Sequence, residues 1–306
     1  MNPITGLLTA LGALTAFYIT AWVRLASAAR RRSGGAPTPA TDGRFPDAGV
    51  IGLGAGANFL DALGIGSFAT STAVFKFFKM VPDRVIPGTL NAGHALPTIT
   101  QAFIYTAIIP ADVLTLFSMI IAAVLGAWLG AGIVARWSKR KVQIGMAAAL
   151  LAFAAFAFMK QMSLFPAGSD AIGVRGIALA LAVVGNFALG ALMTLGIGLY
   201  APCMILVSLL GMSERTAFPI MMGSCAFLMP IGSLRFIREQ SYSLRAAIGL
   251  AIGGIPGVLV AAYIVKQLPL YAVRWLVIVV VIYAAVMMLA SAFSATDRVQ
   301  TAEAEV

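Results

Sequence analysis

Charge is scarce in this chain. Of its 306 residues only 10% are Asp, Glu, Lys or Arg, while 60% are hydrophobic and the mean hydropathy is +0.95. Soluble domains carry roughly a quarter charged residues. Histidine occurs once, at His94, and cysteine twice, at Cys203 and Cys225, both within apolar runs. That leaves no disulfide scaffold, no Cys/His metal-ligand spacing, no Ser/His pairing and no His-x-x-Glu-His-like motif. The thiols are expected to be small buried packing groups. Neither an enzyme nor a metal or cofactor site is expected. The formal charge of +10 does not point to a nucleic-acid partner. Its Lys and Arg sit in short loops without interleaved aromatics, where the positive-inside rule accounts for them.

What the chain does have is long apolar runs. About seven are long enough to span hydrocarbon as helices, near 4–23, 86–109, 113–135, 142–159, 217–234, 246–265 and 272–293. Two more stretches, near 48–80 and 176–210, are too long for one span and are broken by glycines. The first run has no basic residues before it, and its positive cluster, Arg24 and Arg30 to Arg32, follows it. That order is backwards for a cleaved signal peptide. It predicts an uncleaved helix with its N-terminus outside. Residues 33–47, rich in Pro and Gly, then read as a flexible cytoplasmic linker free to touch anionic headgroups.

The sequence also repeats itself. Leu63-Gly64-Ile65-Gly66 recurs as Leu195-Gly196-Ile197-Gly198, and Pro87 recurs as Pro219 at the same offset. Arg84 has a rough counterpart in Arg215, and the Gly126–Gly130 block answers Gly253–Gly257. Each half reads as a glycine-broken double segment followed by three spans. If each broken segment enters the membrane and returns to the same face, all Lys and Arg except Lys160, Arg175, Arg215, Lys266 and Arg274 fall in the cytoplasm. A single crossing splits them almost evenly, so the positive-inside rule selects the hairpin. This places residues 30–46 and 136–141 in the cytoplasm and 161–172 outside. An odd number of crossings per half inserts the second half upside down.

The expected fold is therefore all-α: a polytopic membrane protein of two inverted repeats, each a Gly-broken helical hairpin plus three transmembrane helices, with an extra N-terminal helix. The divisions are 1–47 for that helix and its basic linker, 48–161 and 172–294 for the repeats, and 295–306 for a C-terminal tail. Interrupted helices in inverted repeats recur in secondary transporters, and irregular backbone at membrane depth is tolerated only where it is enclosed or lines a cavity.

Gly52-Leu53-Gly54-Ala55-Gly56 leading into Leu63-Gly64-Ile65-Gly66, the second copy through Leu199-Tyr200-Ala201-Pro202, and the Leu125–Ala131 block with its basic loop resemble the sulfite exporter TauE/SafE family. The resemblance runs from about residue 48 to residue 293. It departs from the family at Asn58-Phe59-Leu60-Asp61, where consecutive glycines are usual, and in the extra N-terminal helix. It implies a bacterial inner-membrane permease for sulfite, a sulfonate or a related organic acid. An anion channel and a non-catalytic membrane subunit of an assembly stay open as alternatives, and a homo-oligomer is compatible with the sequence.

Helices restarting after the glycine turns offer free N–H groups and a positive dipole end to an anion. The candidate substrate-binding residues are accordingly Gly64, Gly66, Ser67 and Thr70 in the first half, with Gly196, Gly198 and Tyr200 in the second. Ser71 and Thr72 add hydroxyls, and Asn58 and Asn186 amide donors. Beyond Pro87, Asn91, His94, Thr98, Gln101 and Tyr105 share one helical face. They either line a cavity or bond between helices. Asp61, the sole carboxylate in the first broken segment, and His94 are the candidates for ion coupling. Lys76, Lys79 and Arg84 attract anions at a cytoplasmic mouth or simply set topology. Gly126 is expected to serve packing, so that Gly126→Ala only perturbs it.

Overall fold

The computed structural model describes residues 3–32, 38–42, 45–134, 170–193 and 199–267, with parts of 144–162 and 269–293. Gly196, Gly198, the loop 136–141 and the tail 295–306 lie outside the described residues. Among those described there is no strand, only an isolated bridge between Ala171 and Met212. We number the helices α1 (Pro3–Arg32), α2 (Ala48–Ala62), α3 (Ser67–Phe77), α4 (Ile86–Ile108), α5 (Val113–Val134), α6 (Gly176–Met193), α7 (Tyr200–Leu209), α8 (Ala217–Arg238) and α9 (Leu244–Gln267). Among the described residues four stretches are long and apolar enough to cross a membrane: α1, α6, Glu214–Arg238 and Leu244–Ile264. The described chain is all-helical, with helices whose length and composition suit a membrane-embedded protein.

Glycine ends α2. Gly64 and Gly66 take φ of +94° and +89°, where a side chain is disfavoured. The Gly64 N–H donates to the Asp61 carbonyl at 2.8 Å and the Ile65 N–H to the Leu60 carbonyl at 3.0 Å, which caps two carbonyls at the helix end. The chain then turns back as α3, bringing Met80 to within 3.6 Å of where a side chain on Gly49 would begin. Val50, Phe75, Val81, Ile86, Leu90 and Leu250 form one apolar cluster at that end. The start of α2, the end of α3 and the start of α4 therefore lie together, as a returning hairpin requires.

The second half follows the same local plan. The short helices α3 and α7 each close on a positive-φ residue, Lys79 and Gly211. A 3-10 turn follows, Asp83–Val85 and Glu214–Thr216 respectively. Next comes a long helix with Pro near its start (Pro87, Pro219) and Pro inside it (Pro97, Pro230). Each internal proline removes a helical hydrogen bond.

Helix directions follow from the pairings. α4 and α8 run antiparallel, with Tyr105 stacked on Phe218 at one end (centroids 5.4 Å apart) and Gly88 against Phe236 at the other. α9 runs parallel to both α2 and α4: Gly54 meets Leu250, Gly254 meets Asn58 and Pro97, and Gly93 meets Ala247. α5 and α6 run parallel, with Thr115 bonded to the Val174 carbonyl just ahead of α6, Asn186 bonded to the Met119 carbonyl, and Ala123 against Gly190. One end of the bundle gathers Arg30 to Arg32, Lys76, Lys79, Arg84, Arg235, Arg238 and Arg245, and the other gathers Arg175 and Arg215. At that second end Arg175 grips Asp112 at 2.6 and 2.7 Å. The guanidinium holds the Asp112 carboxyl well below the usual carboxylate range.

Two expectations need correcting. α1 continues to Arg32, and the described part of the linker is tied down. Pro39 accepts from the Leu244 N–H at 2.9 Å, and Arg245 donates to the Phe45 carbonyl and pairs with Asp47. α1 itself is fastened through Tyr18, which donates to the Ala92 carbonyl at 3.3 Å, and Trp22, which donates to the Tyr242 hydroxyl at 3.2 Å. Gly126 is also tighter than expected. A methyl added there runs into the Phe187 carbonyl, and one on Gly253 runs into that of Ile51. Gly126→Ala and Gly253→Ala are each expected to lower stability by about 1–3 kcal/mol, the usual cost of overpacking. Gly52→Ala, with nothing within 4 Å, should not. Melting temperatures of the three variants in one detergent check this.

Candidate functional site

Asp61 sits in the last turn of α2, just before the glycine break, and is buried. Its Oδ1 accepts the Ser67 backbone N–H at 2.6 Å, and its Oδ2 accepts Gln101 Nε2–H at 2.8 Å. The local chain explains the first contact. The positive φ at Gly64 and Gly66 folds the segment so tightly that the first free N–H of α3 points back at a side chain six residues earlier. A carboxylate at a helix N-terminus is favoured both by the helix dipole and by the unpaired donors there. Among the described residues no Lys or Arg pairs with Asp61.

Gln101 extends the cluster into the second half. Its Oε1 accepts the Tyr200 hydroxyl at 3.1 Å. Tyr200 lies at the start of α7 and also interacts with Thr98 and Asp61. Tyr105, one turn beyond Gln101 on α4, donates to the Ala62 carbonyl at 2.9 Å, which occupies one of the carbonyls left free where α2 ends. Cys225 and Cys203 are buried, as expected, and Cys225 Sγ lies 3.7 Å from Met193 Sδ. The Met204 and Met221 side chains approach Gly64, so the first glycine turn rests on α7 and α8.

A second group fastens the hairpin to α4. Asn58 Nδ2 donates to the Gly54 carbonyl at 2.8 Å, which turns its Oδ1 toward His94 Nδ1, 3.1 Å away. Nδ1 therefore carries the ring proton, and Nε2 accepts from the Ser71 hydroxyl at 3.0 Å. Both nitrogens of this buried ring are engaged, one to α2 and one to α3. Phe68 packs on the ring at a centroid distance of 5.9 Å.

The expected site residues thus divide. Asp61, Ser67, Gln101, Thr98 and Tyr200 come together across the glycine turn. His94, with Asn58 and Ser71, forms the neighbouring fastening. Asn91 is not in either group: it is half-buried and bonds the Pro87 carbonyl of its own helix at 2.9 Å. Thr70 faces Tyr283, with the hydroxyls 3.1 Å apart. Asn186 spends both amide hydrogens, on the Met119 carbonyl (2.7 Å) and on Ser224 (3.1 Å), so it joins α5, α6 and α8 instead of offering a free donor. Ser67 is where the outcome differs most from expectation. The N–H reserved for a ligand is held by the protein's own Asp61. The sequence did carry a signal for this, a lone acid six residues ahead of a helix start.

Compared with protein-family models, with curated proteins and with solved structures, the chain matches none of them.

Proposed function

We propose that this protein is a multi-pass secondary transporter of a small anion, in a bacterial inner membrane, working by alternating access between two inverted repeats. The resemblance to the sulfite exporter TauE/SafE family makes sulfite, a sulfonate or a related organic acid the substrate class. Several observations support the inversion. The matched elements run in opposite directions: α4 is antiparallel to α8. The first-half helix α2 pairs with the second-half helix α9 in the same parallel sense in which α6 pairs with α5. A two-fold exchange of halves accounts for both. The concentration of Lys and Arg at one end supports placing that end in the cytoplasm.

The observation that carries the proposal is the buried carboxylate on a helix N-terminus at a backbone break, bonded to Gln101 and through it linked to Tyr200 of the other half. An ionised Asp61 and a substrate anion compete for the same Ser67 N–H. Proton uptake by Asp61 weakens its hold on that donor and removes the repulsion, so anion and proton travel together. Polar groups at this depth are costly and are kept for such roles.

The test is flux into proteoliposomes of purified protein, with a panel of sulfur oxyanions, sulfonates and carboxylates under an imposed pH gradient. Saturable uptake of at least one anion, accelerated by a proton gradient in the same direction, is expected. Non-saturating electrodiffusion identifies a channel instead, and no flux of any anion favours an assembly subunit.

A further inference from the structure

We infer that Gln101 is a positioning residue that carries the protonation state of Asp61 across to Tyr200 in the other half by reversing its amide. This rests on Asp61 being the proton carrier proposed above. With Asp61 ionised, the chain of donors runs one way: the Tyr200 O–H donates to Gln101 Oε1, and Gln101 Nε2–H donates to Asp61 Oδ2. Oδ1 is held by the Ser67 N–H at 2.6 Å, so an arriving proton settles on Oδ2. Two hydrogens then face each other across 2.8 Å, which no hydrogen bond tolerates. A half-turn of the Gln101 amide relieves this. Oε1 now accepts from the Asp61 hydroxyl, and Nε2 donates to the Tyr200 oxygen. The Tyr200 hydrogen must find another acceptor, and the Thr98 hydroxyl, which lies against it alongside Asp61, can turn to accept it.

The amide suits this task because it is the one neutral side-chain group with a donor and an acceptor at matched positions. Gln101, Thr98 and Ser67 are all buried, so water does not substitute for a lost partner. The groups facing Asp61 from the packed elements are Ser67 on α3, Gln101 and Tyr105 on α4, Tyr200 on α7 and Cys225 on α8. His94 is committed to Asn58 and Ser71. None of these, among the described residues, supplies a fixed positive charge that would hold Asp61 ionised. Tyr200 begins α7 two residues after the second Leu-Gly-Ile-Gly motif of the sequence, so a reversed bond there acts on the element that must move if the halves alternate.

The experiment is infrared difference spectroscopy, between acid and alkaline pH, on the full-length protein in nanodiscs. The Asp61 carboxyl band is identified by its loss in Asp61→Asn, and the Tyr200 phenol C–O band by its loss in Tyr200→Phe. In the wild type the two bands are expected to change over one pH range, the phenol moving from donor to acceptor. In Gln101→Leu, and in Gln101→Met should the first variant not fold, the carboxyl band stays and the phenol shift disappears. In parallel flux assays the proton-gradient acceleration should fall by about tenfold, equivalent to about 1.4 kcal/mol of coupling. A phenol shift that persists without the Gln101 amide, or a wild-type phenol indifferent to pH, overturns the inference. The spectral pattern without flux of any anion supports the relay and overturns the transport reading alone.

Discussion

Replacing Asp61 by asparagine is expected to abolish uphill anion accumulation while the folded protein stays in the membrane. The asparagine keeps an oxygen for the Ser67 N–H, and its amide hydrogens imitate a carboxyl that never loses its proton. What it removes is the titration. Because the ionised carboxylate holds the donor at the start of α3 tightly (2.6 Å), a side chain fixed in the neutral form, whose oxygen is a weaker acceptor, lets a substrate anion compete for that donor at every pH. Downhill exchange should therefore continue, and its pH dependence should flatten. Counterflow of a labelled anion, with and without a pH gradient, separates the two. If Asp61→Asn accumulates anion against its gradient as the wild type does, Asp61 is a structural helix cap and nothing more. Asp61→Ala provides the contrast. It leaves the Ser67 N–H and the Gln101 amide buried without an acceptor, at about 1–3 kcal/mol for an unsatisfied group, so it should lower the melting temperature as well as flux.

Much of this was legible in the residues, and the part that was not has a common cause. The break between α2 and α3 was readable because glycine is the residue that a positive φ selects, and the two prolines at matched offsets marked the long helices that follow. The buried stripe of His94, Thr98, Gln101 and Tyr105 was readable from its spacing, because polar residues in an apolar helix must face protein. Asn91 shares the spacing and escapes the rule, since it lies near the helix start at the charged end of the bundle, where its amide turns onto the Pro87 carbonyl. The contact of Asp61 with Ser67 depends on the dihedral path of five intervening residues, which no periodicity encodes. The engagement of both His94 nitrogens needed three helices placed at once. Gly126 looked like ordinary small-residue packing, and only the position of the Phe187 carbonyl shows that a single methyl is too much. The linker, rich in Pro and Gly, read as flexible because its partners, Leu244 and Arg245, are two hundred residues away in sequence.

Gly66→Val is expected to abolish anion binding, and the structure changes the reason. A blocked approach would be the obvious explanation, yet a Cβ at Gly66 meets nothing within 4 Å. Space is not the obstacle; the backbone is. Gly66 holds φ +89° and ψ +131°, a region that β-branched residues almost never enter, with strain of order 1–3 kcal/mol. The variant relieves that strain by rotating toward negative φ, and the first N–H of α3 swings away from its place beside Asp61. The donor and the carboxyl that share the site then lose their common geometry. Gly66→Ala carries the same backbone penalty with less crowding at Cβ, so it should weaken binding less than valine does. Gly52→Ala adds its methyl to a helical glycine with equally open surroundings, and should bind as the wild type, which separates backbone strain from mere bulk. Gly198→Val, at the matching place in the repeated Leu-Gly-Ile-Gly motif, is expected to abolish binding as well. Calorimetric titration of a transported anion into each purified variant measures the effect, with melting temperature recorded alongside. Wild-type affinity in folded Gly66→Val would place the anion away from the glycine turn, along the α4 face that carries Thr98 and Gln101.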